Sequence, residues 1–125
     1  MELICACASD NGKDFIDRHF GESKYYFIYK INEDGIYFIR KIPNTSVEEK
    51  THADPKKAKS VSSILKSENV QIVISRRFGP NIKRIKVHFT PVIVKNENME
   101  NGLKIVFDNF DHFENEVCKR VNQTV

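Results

Sequence analysis

Two short runs constrain this chain more than any other feature. Leu3 to Ala8 reads Leu-Ile-Cys-Ala-Cys-Ala, and Val70 to Ser75 reads Val-Gln-Ile-Val-Ile-Ser. Neither shows the alternation of a strand with one wet face. A strand that is apolar on both sides must be covered on both sides, which requires helices above and below a sheet. Between the two runs lies a helical pattern. Asp54 supplies an N-cap, Pro55 fits the first helical position, and Ala58, Val61 and Leu65, with Ile64, form an apolar stripe. Strand, helix, strand in that order calls for a right-handed crossover and parallel pairing.

The rest of the chain fills in the sheet. Tyr25 to Ile31 is aromatic and β-branched, Asn32-Glu33-Asp34-Gly35 is a tight-turn signal, and Ile36 to Ile42 is the returning strand of a hairpin. Residues 9–23 are polar, with two glycines, and form a loop with room for one helical turn. Gly79-Pro80 leads into a short helix carrying Ile82 and Ile85. Val92-Ile93-Val94, after Pro91, is the last strand. From Met99 onward, Leu103, Val106, Phe107, Phe110, Phe113, Val117 and Val121 recur at three- and four-residue steps. That is an amphipathic helix, with a break expected at Asp108-Asn109, residues that favour caps over helix interiors. The expected architecture is α/β: a mixed five-stranded sheet with helices on both faces.

At 125 residues, one domain is the default, large enough to build a core without disulfides or metal. Three cysteines are too few for a disulfide framework and an odd number, so reduced thiols and a cytoplasmic location are expected. No apolar run approaches the ~20 residues needed to span a bilayer, and the Met1-Glu2-Leu3-Ile4 start lacks the basic region of a signal peptide. The net charge of +3 hides a pattern. Residues 1–68 are neutral, and residues 97–125 are acidic. Residues 69–96 hold Arg76, Arg77, Lys83, Arg84, Lys86 and Lys95 with no acid. Such a stretch suggests an anionic partner, unless acids elsewhere in the fold answer it.

Two loops can carry chemistry. One is Ala8-Ser9-Asp10-Asn11-Gly12-Lys13 followed by Asp17-Arg18-His19-Phe20-Gly21. The other is Ser75-Arg76-Arg77-Phe78-Gly79-Pro80-Asn81. Each follows a buried strand, and ligands of open α/β sheets sit beyond the carboxyl ends of the strands. His19 in a polar loop is a candidate iron ligand, and His52, just before the Asp54 cap, could face the same rim. His88 and His112 read as structural. Cys5 and Cys7 share one face of a strand, where small apolar packing is the commoner role than ligation. Three thiols cannot close a four-thiolate cluster site within one chain, so any cluster would be held by few ligands or shared between chains.

The ordered set of these residues resembles a known family. Ala8-Ser9, the Asp10-Asn11-Gly12-Lys13 turn, His19-Phe20-Gly21, the aromatic strand Phe27-Ile28-Tyr29, His52, and Gly79-Pro80 after the fourth strand are similar to the dinitrogenase iron–molybdenum cofactor biosynthesis family. This is the NifX/NafY type, also found fused to NifB. The resemblance covers about residues 2–108 and leaves 109–125 as a helical extension of the single domain. It implies a ribonuclease H-like three-layer fold and non-enzymatic, transient binding of iron–molybdenum cofactor or an iron–sulfur precursor cluster. It implicates His19 as the metal ligand. Ser9, His52, Arg76, Arg77 and Gly79 complete the candidate cofactor-binding set, the arginines as countercharges to an anionic cluster. The chain departs from the family at Arg76-Arg77-Phe78, where more glycine is usual, and at His88-Phe89-Thr90-Pro91, where a glycine usually precedes the last strand.

The expected partners are a metallocluster and nitrogenase assembly proteins, with no membrane, and the chain itself a monomer or weak homodimer. Nucleic acid is not expected under this reading. Two-metal nuclease chemistry needs clustered carboxylates, one usually midway along the first strand, and Leu3 to Ala8 has none. The alternative is a nucleic-acid or protein-interaction module without catalysis. It would use Arg76, Arg77, Lys83, Arg84 and Lys86 on phosphates, or the Phe107/Phe110/Phe113 stripe as a docking face.

Overall fold

A computed structural model describes residues 1–48, 50–51 and 53–123. In chain order the elements are β1 (Leu3–Ser9), a single 3-10 turn (Phe20–Glu22), β2 (Tyr25–Asn32), β3 (Gly35–Pro43) and α1 (Pro55–Ser67). They continue with β4 (Ile72–Ser75), α2 (Ile82–His88), β5 (Thr90–Ile93), α3 (Met99–Asp108) and α4 (Phe110–Gln123). The strands form one sheet in the order β3-β2-β1-β4-β5. β1 is antiparallel to β2 and parallel to β4, and β4 is parallel to β5. The mixed five-stranded sheet expected from the sequence is therefore present.

β1 is central because both of its faces are apolar. Leu3, Cys5 and Cys7 project into the core under α3 and α4, with Ile72, Ile74, Leu103, Val106 and Val117. Ala6 and Ala8 project into the opposite core, with Val61, Leu65, Val73 and Ile85. Small alanines on that side let α1 and α2 pack close to the sheet. Leu65 is fully buried there, and truncating it to alanine should cost ~2–5 kcal/mol. Phe110 is buried, and Phe107 and Phe113 pack partly buried beside the first core, so the phenylalanine stripe serves this chain's own interior.

Local chemistry sets the boundaries. The Asp54 carboxylate accepts hydrogen bonds from the backbone amides of Lys56 at 3.0 Å and Lys50 at 3.1 Å. These amides, that of Lys50 foremost, hold its pKa below the usual carboxylate value. The expected break between α3 and α4 falls at Asn109, whose side-chain amide donates to the Ile105 carbonyl at 2.8 Å and satisfies the end of α3. The last strand differs from expectation, because it begins at Thr90 and includes Pro91. Thr90 and Val94 donate their amides to Gln71 and Ser75, on the β4 side. The alternating residue Pro91 thus faces the open edge, where a missing N–H breaks no ladder bond. β3 also carries a bulge that the sequence did not announce, opposite the Ile28/Tyr29 step of β2.

Candidate functional site

The two motif-bearing loops meet at the carboxyl end of the sheet. Ser9, the last residue of β1, is fully buried and organises the first loop. Its hydroxyl donates to the Asp14 carbonyl at 2.6 Å and accepts from the amides of Gly12 at 2.9 Å and Asn11 at 3.3 Å. Asn11 Oδ1 accepts from the amides of Lys13 and Asp14. The loop then straps the start of α3, since Met99 donates to the Lys13 carbonyl and Phe15 to the Glu97 carbonyl. Ser9 therefore shapes the rim from beneath.

Beyond this strap the chain crosses to the second loop. His19 and Arg77 form an isolated parallel bridge, and the Phe20 amide donates to the Arg77 carbonyl at 2.9 Å. Phe20 anchors the crossing from below. Its ring packs 4.9 Å from Tyr26 and 5.1 Å from Phe78, and the Tyr26 hydroxyl donates to the Phe20 carbonyl at 2.9 Å. Burial pushes that phenol's pKa up, which keeps it a donor. The Asn44 side-chain amide donates to the carbonyls of Gly21 and Ser23 at 2.8 Å each and ties down the far side of the turn.

The His19 imidazole lies directly over Gly79. A Cβ added at Gly79 would stand 2.5 Å from Nδ1 and 2.7 Å from Cγ of that ring, and Gly79 has φ of +72°. Glycine is thus required twice here, for the left-handed backbone and for the close approach. Nδ1 of His19 is 3.4 Å from Glu22 Oε1, and the side chain is 41% exposed. The carboxylate stands within ion-pair distance of Nδ1, while Nε2 makes no hydrogen bond to the described residues. Beside it, Asp17 Oδ1 lies 3.2 Å from Arg77 Nε and 3.6 Å from Arg76 Nη1. Arg18 reaches back with Nη2 2.8 Å from Asp10 Oδ2. Burial alone would raise the Asp10 pKa, but the Lys24 amide and the Arg18 guanidinium outweigh it and leave it lowered.

Of the sequence candidates, His19, Arg76, Arg77 and Gly79 come together, with Ser9 beneath them. His52 lies outside the described residues. His88 and His112 are both exposed. Cys5 and Cys7 are completely buried, and burial raises their thiol pKa values, so both are protonated core residues. The sequence reading missed three contributors. Glu22 pairs with His19, Asp17 answers both arginines, and Asn44 pins the turn. Glu22 sits three residues after His19, a spacing that could have been noticed. Asn44 is 21 and 23 residues from its partners, and nothing local marks it.

A pocket of about 20 Å³ opens beside His19, walled by Glu22, Lys57, Ala58, Val61, Phe78 and Asn81. That is room for about one water. Among the described residues no group of three or more His, Cys, Asp or Glu converges where a metal ion could sit.

The fold and this rim define a class: an α/β domain with a mixed five-stranded sheet that presents one oriented imidazole where two loops cross. The chain belongs to the family described as dinitrogenase iron-molybdenum cofactor, whose model matches residues 1–106. Membership associates it with that cofactor. The crystal structure of a protein from Methanocaldococcus jannaschii, provisionally assigned as a dinitrogenase, is similar with a TM-score of 0.62 at 20% identity. The match covers 87% of this chain and 91% of that one. An NMR structure of the same protein gives a TM-score of 0.63 at 20% identity, covering 87% and 90%. These likenesses show a shared fold. No curated protein matches the chain. Among the described residues, no helix is long and apolar enough to cross a membrane.

Proposed function

We propose that this protein binds and carries an iron–molybdenum cofactor or an iron–sulfur precursor cluster as cargo, without transforming it. The supporting observation is the His19 imidazole, seated on Gly79, 3.4 Å from Glu22 through Nδ1 and 41% exposed. Neutral imidazole is a suitable ligand for iron. The adjoining pocket has room for about one water, so a cluster would rest on the rim and not within the fold. One imidazole, with no converging set of acidic, thiol or further histidine groups among the described residues, gives a bond that can be broken on delivery. The cargo is anionic. Arg76 and Arg77 supply its countercharge, in competition with Asp17, which both now contact. Nitrogenase assembly proteins are the corresponding partners, in the cytoplasm, and the carrier works as a monomer or weak homodimer.

Anaerobic titration with isolated cluster, followed by visible absorbance and iron content, tests the proposal. His19→Ala should weaken binding at least tenfold, and adding Arg76→Gln and Arg77→Gln should abolish it. Binding by the triple variant equal to that of the parent would sink the idea.

A further inference from the structure

The cations of residues 69–96 do not gather at the rim. Arg76 and Arg77 stand there, but Lys83, Arg84 and Lys86 lie on α2, which packs beside α1 on one face of the sheet. The two helices run the same way. Arg84 Nη1 donates to the Ala53 carbonyl at 2.9 Å near the start of α1, and Lys66 Nζ is 3.5 Å from His88 Nε2 near its end. Neither helix contains an acid. Lys56, Lys59, Lys66, Lys83, Arg84 and Lys86 are all exposed. None of them pairs with a carboxylate among the described residues. The opposite face is different, because α3 and α4 mix Glu100, Asp108, Asp111, Glu114 and Glu116 with three cations.

Between α1 and α2 runs a groove of about 350 Å³, lined by Lys59, Ser62, Ser63, Lys66, Arg84 and His88. Ser62 is only 5% exposed, and its hydroxyl makes no hydrogen bond to any described residue. That hydroxyl opens into a groove rimmed by cations, where it can donate to an oxyanion.

We infer that the α1/α2 face binds the phosphate backbone of nucleic acid without reading its sequence. Three observations favour this occupant. First, six cations form no ion pair among the described residues, with Asp54 near Lys56 and Glu116 near Lys86 as the neighbouring acids, and such a surplus suits a partner of unbroken negative charge. A duplex carries one phosphate per ~1.7 Å of axis, whereas protein surfaces mix both signs. Second, Lys59 and Lys66 are seven residues apart, about 10 Å along the helix axis, too far to share one small anion but suited to a linear one. Third, the outward residues of α1 and α2 include no Phe, Tyr or Trp to stack on a base, His88 being their one ring, and no Asn or Gln to read one. Lysine, arginine and serine are phosphate-contacting side chains. The groove adjoins the His19 pocket and shares Ala58 with it, but its cations are not those of the rim, and the inference does not rest on the cluster proposal.

Fluorescence anisotropy with a fluorescein-labelled 20-base-pair DNA duplex and the matching single strand tests it. At 50 mM KCl the full chain should bind both, with mixed and homopolymeric sequences alike. Four phosphate contacts predict a loss of about 10²-fold between 50 and 200 mM salt. Lys59→Gln, Lys66→Gln and Lys86→Gln together should lower affinity at least tenfold and cut the slope of log K against log salt by about 2–3. Lys104→Gln, on the opposite face, should change neither, and His19→Ala should leave DNA binding intact. All these positions except His19 are exposed lysines, and an unchanged thermal melt checks the fold. No binding at 50 mM, or a triple variant that binds like the parent, would overturn the inference. Displacement of the duplex by poly-glutamate as effectively as by unlabelled DNA would also overturn it, in favour of an acidic protein partner.

Discussion

The two cationic regions of this molecule look alike in sequence and differ in what surrounds them. At the rim, Arg76 and Arg77 converge on Asp17, and Arg18 on Asp10, so positive charge is answered locally and one imidazole is left as the distinctive group. On the α1/α2 face no carboxylate among the described residues answers the lysines. Exposed ion pairs contribute little stability, ~0–1 kcal/mol each, so the pairing at the rim matters chiefly for what a ligand meets there. An anion arriving at the rim must displace Asp17. An anion arriving at the helical face displaces no ion pair among the described residues. The rim is built for position, and the helical face for attraction at a distance that salt will screen.

The sharpest way to break this comparison is Gly79→Ala. The left-handed backbone should cost ~1–2 kcal/mol, read by urea denaturation. The new methyl must also push the His19 ring off its seat. Cluster binding should then fall as far as in His19→Ala although His19 is intact, while DNA binding holds. A variant as stable as the parent that still binds cluster would show that the ring's seat is irrelevant.

Glu22→Gln is the next largest effect. It keeps the side chain's shape and removes the charge that orients Nδ1. Loss of such an orienting partner weakens metal ligation by about tenfold or more, so the cluster Kd should rise by that factor with stability within ~0.5 kcal/mol of the parent. An unchanged Kd would mean that the imidazole orients itself. Asp17→Asn sharpens the contrast from the other side, because it removes the competitor and makes the rim resemble the helical face. Cluster affinity should increase a few-fold and become more salt-dependent, at a stability cost below ~1 kcal/mol. A decrease in affinity would show that Asp17 holds the arginines in their working positions.

The fold was legible because its signals are local and agree with one another. The apolar run of β1, the Asp54-Pro55 start of α1 and the Asp108-Asn109 break each appear where residue chemistry demands. Pro91 misled because a proline suggests a strand's outer limit, and only the edge position of β5 makes it tolerable inside. At the site, His19 and Gly79 were visible as motif residues, but their contact was not, because two positions 60 apart in the chain are brought together only by the sheet. Charge was the least legible quantity. Residues 69–96 form one acid-free stretch in the sequence. In space they divide between two regions, and the helical face takes three of its exposed lysines from α1, inside a neutral segment. Sequence windows add charges along the chain, while a ligand meets those that the fold places side by side.

The smallest effect is also the most direct measure of that unanswered charge. His88 stands at the end of the groove, and its pKa is lowered from the ordinary 6.5, first by burial and then by the positive charges of Lys66 and Arg120. Lys66 sits on α1 and Arg120 on α4, so the ring is pressed by cations from two elements. Above the ordinary histidine range the ring is neutral in both folded and unfolded chains and does not affect stability. As pH falls through that range, the unfolded chain takes up a proton that the folded chain refuses, and stability declines. The decline levels off once pH is below the folded value. The ring is largely exposed, so the loss should be well under ~1 kcal/mol. Titration of the His88 Cε1 proton by NMR should place its midpoint below 6.5. Lys66→Gln should raise that midpoint and flatten the fall in stability. Because burial is the larger cause, the midpoint should stay below the ordinary value even then. A parent midpoint at or above the ordinary value would mean that a carboxylate does answer this face, and the contrast between the two regions would fail.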